Sequence, residues 1–187
     1  MPASIVKLSV FVKQKMRVER DDRIKNQRIH ASATETSYHA GNFSAYANLA
    51  ISRSLAKQVA SAQWNFDQQE LIFIAENWIH TDHDQLYTAS SGLTYIRWGT
   101  KFLVDATFGS GLRSGFANTE HTPYNLQVNL GAARQFTLGS LGLMEARATI
   151  ENVFDRENEI RSGSGIGVFA PQYGPRIGFF GGIAKLF

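Results

Sequence analysis

Apolar and polar residues alternate with a period of two, and this alternation limits the folds open to the chain. The pattern is clearest over residues 124–136. One phase of that segment holds Tyr124, Leu126, Val128, Leu130, Ala132 and Phe136, interrupted only by Arg134. The opposite phase is polar or small. Because successive side chains of a strand point to opposite faces, the segment is predicted to be a strand with one apolar and one polar face.

The same alternation recurs along the chain and sets the predicted fold class. Clear strands are predicted over residues 43–53, 86–97, 100–108, 124–136, 143–154 and 176–187, and a weaker one over residues 28–39. An eighth would be added if residues 5–12, whose alternation is untidy, were also a strand. The predicted class is therefore all-β, an antiparallel up-and-down meander.

The connections between these strands alternate in length. Residues 40–42, 98–99 and 137–142 form tight connections, whereas residues 55–85, 109–123 and 155–175 form long ones. In a meander this order places every tight turn at one end and every long loop at the other. Outer-membrane barrels have that asymmetry, and strands of about ten residues suit a tilted crossing of the bilayer.

Aromatic residues cluster near both ends of the predicted strands. Beside the tight turns lie Tyr38, Phe43, Trp98, Phe136 and Phe187; toward the long loops lie Tyr87, Phe108, Tyr124, Phe154 and Phe179. Two such rings around an aliphatic band are typical of a bilayer interface. A soluble β-sandwich whose core aromatics fall at strand ends by chance is the alternative.

Charges on the polar phase favour the membrane interpretation. The charged residues of that phase are Lys101, Asp105, Glu145, Arg147 and Glu151. A dry sandwich core would not tolerate them unpaired, whereas a water-filled lumen would. Six or seven strands are too few for a free-standing bacterial barrel, so the C-terminal part of a larger transmembrane β-barrel is predicted. A self-contained eight-stranded barrel remains the second possibility.

Composition excludes several other classes of protein. The chain of 187 residues has no Cys, which excludes disulfides, Cys-ligated zinc and a thiol nucleophile. Residues 1–27 form an unassigned basic segment, expected to be solvated; no nucleic-acid partner is predicted, because no aromatic platform accompanies the charge. No signal peptide is visible, since Lys7 interrupts the first apolar stretch and no basic residue precedes it.

Short motifs over residues 28–187 indicate a more specific class of protein. ENVFDR over residues 151–156 and GSGIGVFAPQYGPR over residues 163–176 precede a last strand that closes on Phe187. Upstream lie NFSAYANLA over residues 42–50, HTDHDQ over residues 80–85 and GSGLR over residues 109–113. In their order these segments resemble the C-terminal barrel portion of a TonB-dependent outer-membrane receptor.

The resemblance implies a barrel of about 22 strands with an N-terminal plug. Such receptors take up ferric siderophores or other scarce solutes with energy from TonB. The chain would then be a fragment in the outer membrane, in contact with lipid, and not competent for uptake alone. TonB would reach it only through a plug domain missing here. The resemblance also implies that Phe179, Ile183 and Phe187 are a signal for the barrel-assembly machinery.

The candidate ligand contacts are arginines in or beside the long loops. Arg113, Arg156, Arg161 and Arg176 could attract an anionic ferric chelate, although lumen salt bridges or snorkelling are the alternative. His80, Asp82, His83 and Asp84 have the residue types of a metal site but are predicted to form a solvated loop. No nucleophile elbow is present, so we expect neither an enzyme nor a cofactor.

Overall fold

The computed structural model describes residues 5–11, 24–59, 66–163 and 170–186. In chain order the elements are β1 (Ile5–Phe11), β2 (Ile24–Ala40), β3 (Phe43–Val59), α1 (Gln68–Glu76), β4 (Ile79–His80), β5 (Tyr87–Arg97), β6 (Thr100–Gly109), β7 (Arg113–Ser114), β8 (Glu120–His121), β9 (Asn125–Thr137), β10 (Leu143–Glu151), β11 (Glu159–Arg161), β12 (Gln172–Tyr173) and β13 (Gly178–Lys185). Two 3-10 turns span Phe116–Asn118 and Gly139–Leu141.

One large antiparallel sheet dominates the structure. Its strand order is β1-β2-β3-β5-β6-β9-β10-β13, so each strand pairs with its neighbour along the chain, and β4 adds a short pairing to β3. This confirms the predicted all-β up-and-down meander. Over the described ranges, β1 and β13 each have one neighbour in this sheet. The small ladders β7–β8 and β11–β12 lie within the long connections.

The strand register aligns the alternating phases into two distinct faces. Val104 pairs with Leu130, and Leu130 pairs with Ile150. Because directly paired residues of an antiparallel sheet lie on the same face, these apolar phases form one surface, which we call the apolar face. The opposite surface, the polar face, contains pairs such as Asp105 with Asn129.

Tight connections gather at one end of the sheet, the turn end. Between β5 and β6 the turn is two residues long, with φ of 51° at Trp98 and 72° at Gly99. Positive φ at both positions is the type I′ geometry that matches strand twist. The other two tight connections span residues 41–42 and 138–142. The long connections from β3 to β5, from β6 to β9 and from β10 to β13 therefore share the opposite end, the loop end.

Several predicted boundaries were wrong. The strand predicted to end at residue 53 continues to Val59, and the segment predicted to be a long loop contains α1 and β4. The strand predicted over residues 143–154 ends at Glu151, because Asn152 takes a positive φ of 47°. The basic N-terminal segment contributes β1 and the start of β2 to the main sheet.

The buried apolar core lies at the loop end. Ile74, Ile79 and Ala117 are almost fully buried and pack with Val59 and the rings of residues 66 and 73. This cluster joins α1 to the end of β3 and to the 3-10 turn of the next loop. No helix in the described part of the chain has the length and hydropathy needed to cross a bilayer.

Candidate functional site

The apolar face is open to its surroundings along most of the sheet. Leu49, Leu93, Val104 and Leu130 lie on four different strands and are 36–46% exposed. On β2 this face is less apolar, since Ser32, Thr34 and Thr36 precede Tyr38. Across the described parts of β2, β3, β5, β6, β9, β10 and β13, the register places no Asp or Glu on this face.

The total surface area of the chain is larger than that of a compact protein of the same mass. The solvent-accessible area is 12737 Å² for a mass of 20.8 kDa. A compact soluble monomer of that mass would expose about 8,900 Å². A sheet that exposes both faces and both edges has such an excess.

Aromatic side chains border the apolar face at both ends. At the turn end, Tyr38 and Phe43 have ring centroids 6.0 Å apart. At the loop end, Phe108 and Tyr124 also have ring centroids 6.0 Å apart. Along β5 the two borders are represented by Tyr95 and Tyr87, which are eight residues apart.

The separation of these borders fits a hydrocarbon layer. Eight residues of an antiparallel strand span about 27 Å. A tilt of about 35–45° reduces this to about 19–22 Å, close to the apolar band of a membrane barrel, about 25 Å tall. Among the residues predicted for the borders, Phe154 lies in the loop after β10, and Phe187 lies outside the described residues.

The polar face is joined by a network of side-chain hydrogen bonds across several strands. Asn129 donates from Nδ2 to Asp105 Oδ1 over 2.9 Å and accepts at Oδ1 from Gln127 Nε2 over 3.0 Å. Asn48 donates from Nδ2 to Ser90 Oγ over 3.1 Å. Toward the turn end, Arg147 lies 3.6 Å from Glu145. These contacts satisfy part of the polar face, whereas Asn48 Oδ1 and Asn125 Oδ1 are buried there without a hydrogen-bond partner.

Glycines on the polar face lie opposite large side chains. Gly92 pairs with Tyr46, Gly131 with Leu103, and Gly182 with Arg147. A Cβ at residue 92 would overlap the ring of Tyr46, and one at residue 131 would lie 3.4 Å from Leu103. On the apolar face, a Cβ at residue 181 would meet only one backbone atom, 3.9 Å away. On the polar face, glycine at residue 92 therefore leaves room for the ring of Tyr46.

The first two long loops are fastened together by α1. Asp67 caps this helix by accepting from Glu70 N over 2.8 Å, while Glu70 Oε2 accepts from Asp67 N over 2.8 Å. The second carboxylate oxygen of Glu70 accepts from Ala117 N over 2.8 Å. One side chain therefore closes the capping box and holds the neighbouring loop, so these loops form a packed cluster at the loop end.

Asp84 is a buried acidic side chain of this cluster. Its side chain is 1% exposed, with Oδ2 2.5 Å from His80 Nδ1 and 3.9 Å from Arg113 Nε. Its Oδ1 accepts from Ser54 N over 3.0 Å. The described residues contain no group of three or more side chains arranged to hold a metal ion. The acidic and imidazole groups predicted as a solvated loop therefore include a structural anchor, Asp84.

The four predicted arginines lie in two separate places. Arg113 approaches Asp84, and Arg161 Nη2 lies 2.6 Å from His83 Nε2, so these two arginines reach the same segment of loop. Arg156 donates from Nη2 to the carbonyl of Tyr124 over 3.1 Å, with its guanidinium 4.0 Å from the centre of that ring. Each of these three arginines therefore has a contact within the protein.

The fourth arginine forms a bidentate pair outside the sheet. Arg176 donates from Nε and Nη2 to Asp155 over 2.8 and 2.6 Å, and Ile177 N donates to the same carboxylate over 3.0 Å. The hydrogen bonds from Arg176 and then from the Ile177 amide lower the pKa of Asp155 to about 2. The pair closes the base of the last long loop.

Asn152 organises that base, and the sequence interpretation gave it no role. It is fully buried; its Nδ2 donates to the carbonyls of Arg156 and Pro175 over 2.8 and 2.9 Å. Its Oδ1 accepts from Arg156 N over 3.1 Å, and its backbone N–H donates to Asn129 Oδ1 over 2.9 Å. The available signal was the ENVFDR motif, in which a short amide side chain tolerates positive φ.

Strand β13 is an exposed edge with apolar side chains. Phe179 and Ile183 share the apolar face, and each is 72% exposed. The third predicted member of this signal, Phe187, lies outside the described residues. On one side β13 pairs with β10, and no other strand of the described ranges pairs with its other side.

The chain was also compared with known proteins. No protein-family model, no curated protein and no solved structure matches it.

Proposed function

We propose that this chain forms the C-terminal wall of an outer-membrane barrel of the TonB-dependent receptor class. The receptor would take up a scarce solute such as a ferric siderophore, and this wall would not be competent for uptake alone. The observation that carries the proposal is the two-sided sheet. One face is apolar, carries no acidic residue on the strands that the structure describes and is bordered by aromatics, and the other is polar and hydrogen-bonded, with glycines paired to large side chains.

Lipid is the covering partner that this arrangement favours. A β-sandwich would need a second sheet packed on the apolar face, and the described residues place none there. Their buried apolar cluster instead lies at the loop end. Hydrocarbon would cover this exposed face, and it needs no polar partners from the side chains.

The two sheet edges support a wall that is part of a larger barrel. In hydrocarbon, each backbone donor or acceptor left unpaired along β1 or β13 would cost several kcal/mol, so a wall inserted alone is less stable than one whose two edges have partner strands. Strands preceding this sequence would supply them, and the exposed edge of β13 would be read by the barrel-assembly machinery during insertion. TonB would act through a plug domain outside this sequence.

A self-contained eight-stranded barrel is the second candidate, and the strand count favours it. The sheet path contains eight strands, so β1 and β13 run in opposite directions and could pair directly. The two candidates differ at the edge. In an eight-stranded barrel, the β13 amides that point away from β10 are hydrogen-bonded to β1; in an isolated wall they are free.

The loop cluster is where a solute would first meet the receptor. Arg113 and Arg161 approach the same loop segment, and Arg176 is 58% exposed beside Asp155. Resemblance of the motifs at residues 151–156 and 163–176 to TonB-dependent receptors supports an anionic ferric chelate as the solute class. The loops would contribute steering and contacts, while the rest of the receptor completes the site.

Heat-modifiable electrophoresis tests the membrane assignment. The full chain is refolded from urea into phosphatidylcholine vesicles and run with and without boiling. We expect a mobility shift on boiling, and release from the vesicles by detergent but not by alkaline carbonate. A folded monomer in detergent-free buffer would contradict the proposal. Hydrogen exchange at β13 then separates the candidates, because fast exchange of its outward amides supports an open wall and protection supports the eight-stranded barrel.

A further inference from the structure

We propose that a row of three residues at the turn end binds the phosphate of an anionic phospholipid headgroup. The row consists of Arg97, Thr100 and Arg134 on the apolar face, at its border with the tight turns. This inference rests on the proposed membrane function, because it assigns a lipid contact to that same face.

The strand register places the three side chains side by side. Arg97 is paired with Thr100 across the β5–β6 hairpin, and Thr100 is paired with Arg134 across β6 and β9. Two strand spacings separate the Cα atoms of the arginines by about 10 Å. Two long guanidinium side chains can therefore converge on one phosphate from both sides, with the threonine hydroxyl between them as a further donor.

The row has positive charge without a compensating carboxylate. Neither Arg97 nor Arg134 forms an ion pair within the described residues, and the same face carries no acidic residue on the described strands. By contrast, Arg147, which points to the polar face, lies beside Glu145. The two arginines thus prefer a headgroup with net negative charge to a zwitterionic one.

Neighbouring residues indicate a lipid rather than a free phosphate ion. The Arg97 guanidinium lies 4.4 Å from the ring centre of Trp98, which is 75% exposed. One step further into the apolar face on β6 and β9 lie Phe102, which is 41% exposed, and Ala132. A headgroup at the row would therefore place its acyl chains directly against apolar side chains, with the indole at the water boundary.

Lipid selectivity in vesicles tests the site. The full chain is inserted into phosphatidylcholine vesicles, and phosphatidylglycerol is titrated in at constant total lipid while Trp fluorescence is followed. Each arginine near the surface contributes about a fivefold preference for the anionic lipid, so we expect about 25-fold for the pair. The double substitution R97Q/R134Q should abolish this preference. R53Q, which removes a single cation from the same face toward the loop end, should lower the preference no more than about fivefold.

The possible outcomes distinguish failure of the lipid site from failure of the membrane assignment. If the wild-type chain inserts but R97Q/R134Q keeps the full preference, the lipid site is refuted while the membrane assignment stands. If inorganic phosphate in tenfold excess over the anionic lipid removes the preference, the row binds free anions and the lipid assignment is also refuted. Failure of the wild-type chain to insert at all would refute both. The site is supported if R97Q/R134Q loses the preference for the anionic lipid and inorganic phosphate does not remove that preference from the wild-type chain.

Discussion

An arginine in the middle of the apolar face should destabilise the inserted chain by an amount that depends on its depth. Leu130 is four residues from Arg134, the native cation of the same face on β9. Four residues span about 13 Å along the strand, and a tilt of about 40° reduces this to about 10 Å of depth. The substituted guanidinium would therefore lie near the midplane of the hydrocarbon, where it cannot easily reach water.

The cost follows from that depth. We expect Leu130→Arg to lower the free energy of unfolding by about 3 kcal/mol, within the range of about 2–4 kcal/mol for a cation at the midplane of a barrel wall. Met144→Arg is the depth control, because Met144 pairs with Phe136 and Lys185 at the turn-end border, and it should cost at most about 1 kcal/mol. Thr107→Arg, on the exposed polar face, should change stability by at most about 0.5 kcal/mol.

Equilibrium urea unfolding in phosphatidylcholine vesicles, followed by Trp fluorescence, gives all three values. A difference of about 3 kcal/mol corresponds to a change of about 150-fold in the folding equilibrium. A cost at residue 130 no larger than the cost at residue 144 would refute the assignment of this face to hydrocarbon. Equal and small costs at all three positions would place both faces in water.

Three further predictions concern the loop end. Asn152→Ala leaves two carbonyls and an amide of the last loop unpaired, and should lower stability by about 2–4 kcal/mol in the same urea assay. Unchanged stability would contradict its role. Because the pKa of Asp155 is lowered to about 2 from 3.8, its link to Arg176 stabilises the loop above about pH 4. The stabilisation by this pair is lost as the pH falls through 2. Pepsin should therefore cleave the loop faster at pH 2 than at pH 4, and D155N should show no such change. Asp84→Ala leaves the mostly buried Arg113 without its carboxylate and should lower stability by about 1–3 kcal/mol, while D84N, which keeps an acceptor, should cost less.

The sheet was predictable because its strands have one polar and one apolar face. Where the alternation is strict, as over β9 and β6, the predicted phase agrees with the register that pairs Val104 with Leu130. A slip by one residue would exchange the faces of a strand, so hydrophobic pattern and register determine each other. Strand β2 was predicted only weakly, because Ser and Thr interrupt the phase that lies on the apolar face.

The loop end was much less predictable, because local capping and long-range hydrogen bonds determine it. Helix α1 was missed although Asp67 and Glu70 have the spacing of a capping box before an apolar run. The end of β10 was placed three residues too late, because alternation continues through Phe154 while Asn152 already turns the chain. Contacts such as Glu70 with Ala117 join distant segments, and no local pattern encodes them.

Accessibility of single spin labels along β9 tests the central claim most directly. The chain has no Cys, so one Cys can be introduced and labelled at each position from 126 to 132 in turn. In vesicles we expect labels at even positions to collide with oxygen dissolved in the hydrocarbon, and labels at odd positions to collide with a water-soluble nickel chelate. Even positions inaccessible to both reagents would indicate a dry protein interior, and the absence of any two-residue period would contradict the two-sided sheet.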